Sequence, residues 1–156
     1  MPYMLQPLLR IRTMREDRAS GELVAAKRNL AQAEEALAAR ARDLEEWEKT
    51  KDERRDRIYD AIIGREVSRD QIDLANEGVA RIDEEGVLKA DNVKRAEGEV
   101  KAKEAAAEAA RANLNLAIKN RMKIDEHRAD WLIRDAKEQD ARAEGELEDF
   151  TGRKQD

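Results

Sequence analysis

The chain has 156 residues, 43% of them charged and 3% aromatic, with no cysteine, two prolines and a formal net charge of −5. No disulfide or thiolate metal site can form, no apolar run approaches the length that spans a bilayer, and no signal-peptide pattern opens the sequence. Two tryptophans, two tyrosines and one phenylalanine are too few to fill a compact globular core, which argues against an enzyme.

High charge and few aromatics would also suit a disordered chain. However, 36 acids and 31 bases nearly balance, no proline follows Pro7, and strong helix formers dominate. The apolar residues also keep step. Leu23, Leu30, Leu37 and Leu44 fall seven apart, and the column extends back to Leu9 through Glu16 and forward through Lys51 to Ile58. Ala19, Ala26, Ala33, Arg40, Trp47, Arg54 and Ala61 form a companion column, each three residues after a member of the first. Two such columns make one helical stripe, and a strict seven-residue repeat implies a left-handed supercoil with a partner helix. The first helix is expected over about residues 7–63, on the order of 85 Å long.

Gly64 is placed to end that helix as a C-terminal glycine does. Ser68 with Gln71 three residues later reads as a capping box that restarts a helix. Asn76 and Gly78 predict a second interruption, so a tip of about residues 64–78 is expected to hold a short helical piece. Ile62, Ile63, Val67, Ile72 and Leu74 are expected to cap the hairpin end.

The second long helix is expected over about residues 79–150. Val79, Gly86, Val93, Val100, Ala107 and Leu114 form one column. Ile82, Ala96, Ala110, Ala117, Ile124 and Trp131 form the other, interrupted by Lys89 and Lys103. Acid-to-base pairs four apart support both helices, each by about 0.2–0.5 kcal/mol. Examples are Glu45–Lys49, Glu53–Arg57, Glu85–Lys89, Asp91–Arg95, Glu97–Lys101, Glu99–Lys103 and Glu138–Arg142. A short connection favours antiparallel neighbours. The expected fold is therefore all-α, one long antiparallel two-helix coiled-coil hairpin forming a single domain, monomeric in isolation. The register that sets Leu8, Leu9 and Ile11 against Trp131, Leu132 and Ile133 gives the open end an apolar plug. It also brings the basic segment Arg10, Arg12, Arg15 and Arg18 near the acidic segment Asp140 to Asp149.

Catalytic constellations are absent. His127 is the single histidine and lies in a charged stretch, where solvation is expected. No glycine pattern makes a phosphate loop, and no cofactor or metal is expected. Residues 10–28 carry six bases against three acids, too few for a phosphate-tracking stripe, so no nucleic-acid partner is expected. Membrane-surface binding meets the same objection, and no direct membrane insertion is expected. Trp47 lies in the stripe among charged neighbours and reads equally as seam filler or as a partly exposed binding anchor.

The opening Leu8-Leu9-Arg10-Ile11-Arg12-Thr13-Met14-Arg15-Glu16-Asp17-Arg18-Ala19 resembles the start of the YscO family of type III secretion proteins. The likeness continues through Leu44-Glu45-Glu46-Trp47-Glu48 and Glu53-Arg54, and resumes at Ala143-Glu144-Gly145-Glu146-Leu147-Glu148-Asp149-Phe150, similar to that family's acidic ending. YscO proteins are similar to FliJ of the flagellar export apparatus, and both resemble the coiled-coil part of a rotary ATPase γ subunit. The resemblance implies a non-enzymatic central stalk at the cytoplasmic base of a type III secretion system, whose joined termini enter the hexameric secretion ATPase. Its tip-ward part reaches the cytoplasmic ring of the export gate, and some members also handle secretion chaperones. Carried onto this sequence, the ATPase end falls on Arg10, Arg12, Arg15, Arg18, Glu144, Glu146, Glu148 and Phe150. The gate-contacting face falls on Arg40, Leu44, Trp47 and Lys51. The alternatives of other classes are a structural coiled-coil spacer or scaffold that dimerises, and a holdase-like chaperone gripping clients with its tip.

Overall fold

The computed structural model describes residues 2–154 and consists of two helices, α1 (Gln6–Asp60) and α2 (Arg69–Arg153), packed antiparallel as a hairpin. The chain divides into two compact units, Met1–Val24 with Ala109–Asp156, and Ala25–Glu108.

α1 opens where Gln6 N–H donates to the Tyr3 carbonyl at 3.1 Å, and Pro7 occupies the first turn, where a missing N–H costs nothing. The helix ends at Asp60, three residues earlier than the sequence suggested. Ile62 and Ile63 both donate to the Tyr59 carbonyl, and Arg65 N–H closes a turn on Ile62 over Gly64, whose φ of +75° is one that side chains rarely adopt. Ser68 and Gln71 then form the expected capping box: Gln71 N–H donates to Ser68 Oγ at 3.3 Å, and Ser68 N–H to Gln71 Oε1 at 2.9 Å.

From that cap α2 runs unbroken, so the expected tip of residues 64–78 shrinks to the connection 61–68. Asn76 and Gly78 do not interrupt it. Gly78 is instead a point of close approach, because a Cβ there would lie 3.2 Å from Ile58 Cδ1. Of the five apolar residues expected to cap this end, Ile62 and Val67 are half-buried while Ile63, Ile72 and Leu74 are exposed.

The heptad stripe is the packing face in both units. In the unit of the chain termini, Tyr3, Leu9, Ala19 and Leu23 are buried. In the other, Ala33, Ala75, Ile82, Gly86 and Val100 are buried. Every column position from Leu9 to Ile58 is sheltered except Arg40, and so is every one from Val79 to Trp131. No described side chain is wholly enclosed, however. Two helices shelter each other along one line and leave the remaining circumference wet.

Three basic residues of the stripe find acidic partners. Lys89 and Lys103 reach back to Glu85 and Glu99 at 3.7 and 3.6 Å, and Arg54 crosses to Glu85 at 2.9 Å. Long basic side chains thus cover the seam with their stems while their charges stay in water. Glu45–Lys49 and Glu53–Arg57 also close, whereas Asp91–Arg95, Glu97–Lys101 and Glu138–Arg142 stand open.

Candidate partner-binding surfaces

The termini form the first surface. Tyr3, just outside α1, folds back onto α2. Its hydroxyl meets His127 Nδ1 at 2.6 Å, and its ring lies 5.2 Å from that of Trp131. His127 is exposed but not simply solvated, as its neighbours in sequence had suggested, because it holds this tyrosine. Sequence reasoning passed over Tyr3. An isolated aromatic two turns before the first leucine of the stripe was the available signal.

This cluster corrects the expected register. Tyr3 is the residue set against Trp131; Leu9 is buried and Leu8 half-buried, while Ile11, Leu132 and Ile133 are exposed. Farther along α1, Glu16 pairs with Arg121, which also holds Asp125 one turn on. The hydrogen bond that Arg121 Nε donates to Glu16 holds the guanidinium above its ordinary value against the opposing effect of burial, with Asp125 adding to it.

With Tyr3 set against Trp131, Arg10 to Arg18 lie beside the stretch of α2 that carries Arg121 and Asp125, not beside the acidic segment. Glu144 lies some 20 Å farther along α2 than Trp131 at the usual helical rise. The basic and acidic segments are therefore not brought together. Residues 136–153 of α2 are all exposed, Glu144, Glu146, Glu148 and Phe150 among them. Arg10, Arg15 and Arg18 are exposed too, but Arg12 is half-buried and its Nε meets no acceptor among the described residues.

The second surface surrounds Trp47. Arg40 is exposed, and Leu44, Trp47 and Lys51 are half-buried. The indole lies in the seam, not on the outer face. Its Nε1 donates to the Ile82 carbonyl at 3.0 Å, and a Cβ on Gly86 would lie 2.6 Å from the indole Cε2 and closer still to Cζ2 and Cη2. Lys51 Nζ sits 5.0 Å from the ring centroid, over its remaining face. Trp47 is thus seam filler with one edge showing. Gly86, the single glycine among the stripe positions read from α2, is its seat.

Among the described residues, no three histidine, aspartate or glutamate side chains converge as metal ligands would. Nor is any helix among the described residues long and apolar enough to cross a membrane. The arrangement offers extended charged and apolar faces.

A family model described as type III secretion protein YscO matches residues 5–153. Comparison with curated proteins and with solved structures finds no match.

Proposed function

Since the chain belongs to the YscO family of type III secretion proteins, we infer that it is a non-enzymatic stalk joining the hexameric secretion ATPase to the export gate of a bacterial type III secretion apparatus. The observation that carries this reading is the extent of the match, which runs through the basic start of α1 and the unpaired end of α2 alike. Exposed arginines on α1 and the exposed acidic helix end form the ATPase contact. Arg40, Leu44 and Lys51, with the free edge of Trp47, form the gate contact. Both partners sit at the cytoplasmic base of the apparatus, and escort of empty secretion chaperones belongs to the same role.

The test is binding of the purified chain to the ATPase hexamer and, separately, to the gate ring. Arg10→Glu with Arg18→Glu should weaken the ATPase complex about tenfold or more while sparing the gate. Arg40→Glu, at an exposed position, should do the reverse. Binding to neither ring, or loss of both by either variant, would remove the coupling role.

A further inference from the structure

Two exposed faces in the unit of the chain termini match one another in chemistry and do not touch. One is the side of α1 turned away from α2. Ile11 and Met14 are 46% and 69% exposed there, flanked by Arg10 and Arg15, and Met4 in the turn before the helix is 90% exposed. The other is the end of α2. Leu132, Ala136, Ala143, Leu147 and Phe150 follow one another at helical spacing and make a single exposed stripe. Glu144 borders it on one side, and Glu146 and Asp149 on the other. At 100° per residue this stripe begins about a quarter-turn around the helix from Trp131, so it starts where the internal seam stops and faces elsewhere.

We propose that a second copy of this chain occupies these faces, the α2 end of each copy lying on the outer side of the other's α1. The α1 face runs roughly 18 Å over residues 6–18, and the α2 end, roughly 27 Å over residues 132–150, is long enough to cover it. One is basic and the other acidic, with apolar side chains along the middle of each. Within one chain they cannot meet, because the α2 end projects past Tyr3 and the α1 face points away from α2. A two-fold axis satisfies both at once: each copy gives its α2 end and receives its partner's, so the contact is reciprocal and closed. The two helices in each contact run the same way, which sets the acidic stretch 140–149 beside the basic stretch 10–18. Apolar burial supplies the attraction, and the charges select the orientation. The inference does not depend on the stalk role, although the same surfaces serve the proposed ATPase contact, so the two bindings exclude each other.

Sedimentation of the full chain from low micromolar to several hundred micromolar should show a reversible dimer that weakens as salt is raised. Arg10→Glu with Arg15→Glu, and separately Glu144→Arg with Glu146→Arg, should each weaken self-association at least tenfold with helicity unchanged. Mixing the two variants restores opposite charges in both contacts and should give a heterodimer. A wild-type chain that stays monomeric throughout, leaving these faces to another partner, would overturn the proposal. So would a dimer indifferent to either reversal, or a mixture that stays monomeric.

Discussion

The indole of Trp47 rests on the bare backbone of Gly86, and its Nε1 donates to the carbonyl of Ile82 one turn earlier. The pair inverts an ordinary rule. Alanine in place of glycine inside a helix normally stabilises by about 1 kcal/mol. Gly98→Ala, with nothing within 4 Å of its new methyl, should do so and raise the melting temperature. Gly86→Ala should instead cost about 1–3 kcal/mol, because the ring must leave its seat and give up its hydrogen bond. Thermal melts of the two variants, with opposite signs, are the check.

Trp47→Ala should cost about 2 kcal/mol through lost packing. In that background Gly86→Ala should turn stabilising, so a double-mutant cycle reports strong coupling between the two positions. A loss of gate binding in Trp47→Ala therefore mixes contact with stability, and Arg40→Glu is the cleaner probe of the gate face.

Tyr3→Phe removes only the hydroxyl bond to His127 and should cost about 0.5–1.5 kcal/mol or less. Tyr3→Ala also uncovers Trp131. It should shift that tryptophan's emission to longer wavelength and speed amide exchange in the first turns of α1, with little change in exchange near Trp47.

Arg121 is held above its ordinary value by Glu16. A raised folded-state value means that its stabilising effect is complete below the ordinary guanidinium range and fades only as pH rises through that strongly alkaline range. The melting difference between the wild-type chain and Arg121→Gln should therefore stay constant from neutral pH to pH of about 10. Salt should reduce it where alkali does not. A difference that shrinks between those pH values would contradict the assignment.

Ser68→Ala removes the side-chain acceptor for Gln71 N–H and should cost about 1 kcal/mol. Faster amide exchange should be confined to the first turn of α2.

Much of the fold was legible because its determinants are local or periodic. The leucine and alanine columns name the sheltered faces, and Ser68, Gln71 and Gly64 name the turn. Gly78 misled because a glycine that permits close approach reads the same in sequence as one that breaks a helix; only Ile58 across the seam tells them apart. Which residues oppose which was not readable from Leu8, Leu9 and Ile11. A stripe built on repeated small residues offers similar partners at each heptad, and the decisive contact came from Tyr3, outside the helices. The separation of Arg10–Arg18 from Glu144–Phe150 follows from that register. The inward position of Trp47 was half legible, since a glycine at a stripe position calls for something large opposite.

A zipper of repeating leucine, valine and alanine columns has many almost equivalent alignments, each one notch from the next. Seven residues to either side of Gly86 stand Val79 and Val93, whose branched carbons fill the space a bicyclic ring needs. Sliding by a notch would also part Arg54 from Glu85. One absent side chain thus serves as the keyway of an otherwise repetitive thread, and gives the two helices a single address.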